Sequence, residues 1–300
     1  MDFDLSRPQR DRLDSLDRVV EEAGTAADID QLDKALLASD MLKGASVLER
    51  YMIAEELSRR GLASAFGLYA LVCDLLPDGI TSGRLAIVES SRNGPVRFAD
   101  SASVLVVLDA DRAYLHDQST ITHRPAPTGF GYPYAHVEVC APGRRLPDGD
   151  AERIRARWRL ALTGEIAGNA RSAILKTADH LKARVQFGRP LATFQALRHR
   201  LADAAVSAEA TSWLGRGAAF VDHPRTVLRA AWYASNTAAS LVPELVQMCG
   251  ARSFTVEFGL QVFTMRMNSL RLELGGLDRL GLELSQLAAR EPAEQSTVTR

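Results

Sequence analysis

The stretch Leu181–Asp203 reads LKARVQFGRPLATFQALRHRLAD, and the Phe-Gly-Arg-Pro run at its centre interrupts an otherwise helical pattern. Gly188 and Pro190 end one helix and set the entry angle of an antiparallel partner. Upstream, helical spacing holds from Arg153 to Lys182; downstream, a second long helix carries Gln195 near its start. The turn also gathers donors. Arg184 offers a fixed fork suited to phosphate. Gln195, in the first turn of the next helix, places an amide beside the same ligand. The structural alternative is that Arg184 and Gln195 only cap and buttress a helical hairpin.

Working outward, helical periodicity runs from Asp150 to about Ala289. Before it, Gly83 to Val139 holds short β-like runs: RLAIVES, SVLVVLDA, RAYLHD and YAHVEVC. Asn93-Gly94-Pro95, Pro125 to Gly131 and Pro142-Gly143 separate them with turn chemistry. Four or five strands at this spacing predict a small β barrel or sandwich. The first 77 residues read as helices. Leu13, Leu16, Val19 and Val20 make one apolar stripe, and Val47, Leu48, Tyr51, Met52, Ala54, Glu55 and Leu57 carry a second segment. The nearly all-apolar LASAFGLYALVCDLL predicts a buried helix that Pro77-Asp78-Gly79 stops. The expected architecture is mostly α with a small β domain. It divides into an N-terminal helical domain (1–78), a middle β domain (79–148), a C-terminal four-helix bundle (149–289) and a disordered tail (290–300).

Of the 300 residues, 46% are hydrophobic, enough for a sizeable core, and 36 basic against 37 acidic residues leave a net charge of −1. That balance gives no electrostatic drive toward nucleic acid or an anionic membrane. The basic run Arg153–Arg159 reads as a solvated helix face. The longest apolar runs, such as Ser103–Ala110, are too short to span a bilayer, and the N-terminus lacks a basic-then-apolar signal pattern. Cys73, Cys140 and Cys249 are odd in number and widely spaced, which argues against a disulfide framework or a zinc site. A reducing cytoplasm and no metal are the expectation.

Three stretches carry a family resemblance. ARVQFGRPLATFQALRHRLADAAVSAEA resembles the acyl-CoA dehydrogenase C-terminal domain, whose Arg-x-x-Phe-Gly-x-Pro turn precedes a helix with Phe-Gln and then Ala-Asp. Arg184, Phe187, Gly188, Pro190, Phe194, Gln195, Ala202 and Asp203 fall in that register. Val246–Arg266 is similar to the family's Gln-x-x-Gly-Gly-x-Gly-Tyr/Phe segment, and MDFDLSRPQRDRLD to its N-terminal pattern. The helical–β–helical order matches as well.

The resemblance implies FAD bound in a cleft between subunits and removal of two hydrogens from the α and β carbons of an acyl-CoA. Carried over, Arg184, Phe187, Gln195, Gln247 and Gly250 grip the dinucleotide part of a neighbour's FAD. The second and third glycines of the pattern are Ala251 and Ser253 here. The reaction needs a carboxylate to take the α-proton. Counting from Arg266, the family's usual place for it falls in LRLELGGLD, on or near Gly275; the alternative place, 26 residues before Arg184, falls on Trp158. Neither is acidic, so the catalytic base is unassigned, with Glu273 and Glu257 as candidates. For Glu165 and Glu257 a surface or ribose-binding role is expected. The stretch LPDGITSGRLAIVESS also lacks the family's Thr-Glu and Gly-Ser flavin contacts, while VRFADSASVLVVLD keeps its Ala-Asp segment.

The half that clamps a neighbour's FAD is thus kept, and the half that houses flavin and base is eroded. By resemblance the chain looks like the partner subunit of a bacterial α2β2 heteromeric acyl-CoA dehydrogenase of the steroid-catabolism type. Its implied partners are a second acyl-CoA dehydrogenase subunit, an acyl-CoA substrate and an electron-transfer acceptor. Two alternatives stay open: a homo-oligomeric dehydrogenase with a displaced glutamate base, and a scaffold that binds no flavin.

Overall fold

The computed structural model describes residues 5–23, 29–77, 84–273 and 275–290. The predicted tail from residue 291 on and the Asp78-Gly79 stop lie outside them. Four helices come first: α1 (Arg7–Ala23), α2 (Ile29–Ala38), α3 (Val47–Arg59) and α4 (Phe66–Val72). Five follow the strands: α5 (Asp150–Ala183), α6 (Gln195–Val221), α7 (Pro224–Cys249), α8 (Leu260–Glu273) and α9 (Gly276–Arg290).

Local chemistry fixes several of these ends. Ser46 opens α3 with a capping box: its backbone N–H donates to Glu49 Oε2 at 2.7 Å while its hydroxyl accepts from the Glu49 N–H at 3.3 Å. Asp222 takes φ +51° to end α6, and Pro224 at the first position of α7 starts the next helix after a tight corner.

The long helix α5 is the axis of the molecule, with α3, α6, α7 and α8 all packed against it. Glycines set how close these helices come. A Cβ on Gly168 would fall on the Glu55 carbonyl oxygen and within 2.7 Å of the Arg59 nitrogen, and one on Gly215 would strike the Tyr51 ring. The same seam buries Glu55, which accepts from Ser212 Oγ at 2.6 Å and pairs with Arg216 at 3.1 Å and Arg171 at 3.5 Å. One carboxylate therefore ties α3, α5 and α6 together.

Between the two helical sets lie two small sheets. The first runs β1 (Arg84–Glu89), β3 (Ala102–Asp109), β4 (Arg112–Asp117), β7 (Arg144–Arg145); the second runs β2 (Val96–Arg97), β6 (Tyr134–Val139), β5 (Ile121–Pro125). The β1–β3 pair is parallel and the other pairs are antiparallel. Side chains alternate by face, as strand geometry requires. Ala86 and Leu105 meet Val96, Ile121 and Ala135 between the sheets, while Leu85, Ile87, Val106 and Leu108 join the helical core. The four runs read as strands are strands; the two-residue β2 and β7 and the five-residue β5 add to them. Among the described residues no helix is long and apolar enough to cross a membrane.

The basic run Arg153–Arg159 needs correction. Ile154, Ala156, Arg157 and Trp158 are buried, and Arg157 pairs with Asp222 at 2.8 Å. Arg155 and Arg159 reach Glu89 and Glu283. Of its four arginines only Arg153 is solvated, because α5 is enclosed on several sides.

Candidate functional site

The turn that opened the sequence reading forms a β-hairpin, β8 (Val185–Gln186) paired with β9 (Arg189–Pro190). Its two corner residues, Phe187 at φ +55° and Gly188 at φ +75°, match the hairpin turn whose twist suits two right-twisted strands. Glycine takes that conformation freely, but a phenylalanine there is strained by about 1 kcal/mol or more. Phe187 is nonetheless 88% exposed, its ring standing edge-on to that of Phe194 with centroids 6.0 Å apart.

The donors around it are also unspent. Arg184 is exposed and, among the described residues, makes no ion pair. Gln195 is exposed and begins α6, whose start has no capping side chain; the Leu197 and Arg198 N–H groups both donate to the Phe194 carbonyl at 3.1 Å. Gln247 is exposed near the end of α7. Gly250 follows with φ +59° and ψ −148°, a glycine-only conformation, and a Cβ on it would point into open space. Ser253, in the place of a family glycine, is buried and donates to the Gly250 carbonyl at 2.7 Å; Ala251 is exposed.

His180 joins these segments. Burial lowers its pKa, and the cations Arg252 and Arg184 lower it further, so both lie near the end of α5. Arg252 and Lys176 stand over the Phe258 ring at 5.3 and 5.5 Å, and neither has a carboxylate partner among the described residues. Sequence reading missed Lys176, although Lys176 and His180 lie one turn apart on α5 and lead into Arg184 just past its end. This end has the donor chemistry that the phosphates of a dinucleotide require.

A second site lies where sheet and helices meet. A cavity of about 490 Å³ is walled by Ile87, Val88 and Val96, by Phe130, Tyr134 and Trp158, and by Arg92, Arg97 and Glu273. Its floor is an ion cluster. Arg97, its side chain 2% exposed, donates to Glu273 Oε2 at 2.8 Å and to Glu165 Oε2 at 2.6 Å. Its remaining nitrogen lies 3.3 Å from the other oxygen of each glutamate. Trp158 Nε1 donates to Glu273 Oε1 at 2.9 Å, and the Tyr132 hydroxyl donates to Glu165 at 3.3 Å.

Burial raises the Glu165 pKa, Arg97 opposes the rise and the like charge of Glu273 adds to it. Burial disfavours the Arg97 cation, but the two glutamates more than offset this and hold its pKa well above the ordinary value. Burial, with Glu273 beside it, pushes Tyr134 up to about 12.

Trp158, one of the two places where the resemblance seeks a base, donates to Glu273, which lies two residues before the other, Gly275. Gly275 itself has φ +98°, and a side chain there would run into Arg279. Glu165 is not a surface or ribose-facing residue but a buried one, because Arg97 and Tyr132 meet it inside the molecule. Glu257 is exposed on the connection before α8 and does not line the cavity.

Residues 155–280 match the family described as acyl-CoA dehydrogenase, C-terminal domain. The acyl-CoA dehydrogenase IpdE2 of Mycolicibacterium smegmatis is 26% identical over 240 residues, covering 77% of this chain and 76% of that protein. Among solved structures, a chain of the ChsE4-ChsE5 complex from Mycobacterium tuberculosis superposes with a TM-score of 0.84 at 16% identity, covering 98% of this chain and all of that one. A chain of the Tcur3481-Tcur3483 steroid ACAD gives 0.73 at 19% identity, with 94% and 97% covered.

Proposed function

Since residues 155–280 carry an acyl-CoA dehydrogenase C-terminal domain and the chain has that enzyme fold along nearly its whole length, we propose that it is one subunit of a FAD-dependent acyl-CoA dehydrogenase. In this reading it serves α,β-dehydrogenation of an acyl-CoA thioester, steroid-derived like the substrate class named for the Tcur3481-Tcur3483 protein. It completes the FAD site of a partner subunit, and the partner supplies the base.

The state of Glu273 carries the proposal. Among the described residues it is the only carboxylate lining the cavity, and both its oxygens are held, one by Arg97 and the other by Trp158 and Arg97. With both its oxygens held by donors, Glu273 is not free to meet a substrate proton, and in this reading the α-proton is taken by a group from outside the chain. The exposed donor end supports the other half of the reading. Arg184, Gln195, Gln247 and Gly250, with Lys176 and Arg252 behind them, would hold the phosphates of the partner's FAD, and Phe187 would lie against its dinucleotide part. Bound FAD supplies the hydride acceptor, which an electron-transfer protein reoxidises. Large apolar side chains left in solvent on α6, Val206 and Phe220 among them, mark a face suited to a partner.

A homo-oligomeric enzyme is the second reading, favoured by the fact that Glu273 does line the cavity, with 14% of its side chain exposed. The visible spectrum separates the two. Flavin is expected only when the chain is co-expressed with its partner subunit, at one per two chains. Full flavin in the chain alone would make it self-sufficient; a colourless complex would make it a scaffold. In the complex, Arg184→Ala should weaken FAD retention by about 1.5–3 kcal/mol, roughly tenfold to a hundredfold, without loss of assembly. Unchanged flavin content after that substitution would remove Arg184 from the site.

A further inference from the structure

Arg97, Trp158 and Arg92 are among the residues lining the cavity at the sheet–helix junction, and they differ in what they have left to offer. Arg97 is saturated by Glu165 and Glu273. The Trp158 indole N–H is taken by Glu273. Arg92, on the turn between β1 and β2, is half-buried and uses one terminal nitrogen to donate to the Leu272 carbonyl at 3.0 Å. Its other donors have no partner among the described residues, and it makes no ion pair there. Glu89, at the end of β1, is occupied by Arg155 and Arg279.

We propose that Arg92 is an anion-recognition residue, and that the cavity accepts an apolar or aromatic chain bearing a carboxylate, which pairs with the free donors of Arg92. The walls fit such a group: Ile87, Val88, Val96 and Phe130 supply apolar surface. A guanidinium has spare fork geometry for a carboxylate and loses least when desolvated beside one. Burial lowers the Arg92 pKa and the like charge of Arg279 lowers it further, while Glu89 and Glu273 oppose the fall. The negative charge of Glu273 does not repel the ligand strongly, since Arg97 lies directly on it.

Extended to catalysis, this rests on the dehydrogenase reading and names the substrate class: an acyl-CoA whose acyl part carries a second, free carboxylate. As a binding site it stands without that reading, and it is tested on the chain alone. Decanoate and decanamide, equal in chain and different in charge, are titrated calorimetrically into the wild type, Arg92→Met and Arg92→Lys. Wild type is expected to bind decanoate at least tenfold more tightly than decanamide. Arg92→Met should abolish that preference while keeping decanamide affinity, and Arg92→Lys should restore part of it. Equal affinities in the wild type, no binding of decanoate, or a preference that survives Arg92→Met would each overturn the proposal. None of these outcomes bears on flavin or partner, so the dehydrogenase reading stands or falls separately by its spectrum.

Discussion

Arg97→Met lowers the unfolding free energy by about 3–5 kcal/mol at pH 8, and by clearly less at pH 4.5, because it strands two carboxylates without their cation. Glu165 sets the pH dependence. Its folded pKa is already raised, so the protonated form favours the native state. Stability on its account is fully present below the ordinary value of 4.5 and is lost as pH climbs through the folded pKa. Removing Arg97 raises the folded pKa further and widens the window over which stability is lost. Urea unfolding of wild type and variant at the two pH values reads this directly. A loss that is the same at both, or under about 1 kcal/mol at pH 8, would mean that the cluster carries little net charge.

Gly168→Ala is expected to cost about 3 kcal/mol, the upper part of the range for overpacking, because the new methyl meets backbone rather than a side chain able to turn aside. The Glu55 carbonyl and the Arg59 nitrogen belong to α3, so α3 and α5 must separate along their whole contact. Gly217, on the open side of α6, is the matched control: nothing lies within 4 Å of its added Cβ. There alanine should gain up to about 1 kcal/mol from helix propensity alone. Thermal unfolding of the two variants should move in opposite directions. A Gly168→Ala protein as stable as wild type would show that the α3–α5 seam relaxes freely.

Much of this fold was written in local patterns. The Gly188 and Pro190 punctuation located the break between α5 and α6, and short β-like runs located β1, β3, β4 and β6. The two-residue β2 and β7 left no such trace, since a pair of residues has no period to detect. At the donor end, every residue carried over from the resemblance proved exposed and near one end of α5, because the motif is short and local. The ion cluster could not be read in the same way. Glu165 finds Arg97 68 positions away, and Trp158 finds Glu273 115 positions away. Residues such as Arg157 and Glu165 look like ordinary solvated helix positions until the fold supplies their partners. The close approach at Gly168 is equally silent, because a glycine within a helical period reads as a weakness rather than as a contact surface.

The docking of α3 on α5 has one more effect, on chain connectivity. The strands from Arg84 to Arg145 leave from the first set of helices and return to the second, so the seam at Gly168 closes them into a single loop. The entropy of closing a loop grows only with the logarithm of its length, about 0.6 kcal/mol for each doubling. Strands and turns within that excursion can therefore lengthen or shorten at little thermodynamic expense while the helical frame holds. Sequence drift in such a protein should collect in the loop, and the glycine seam that closes it should resist change.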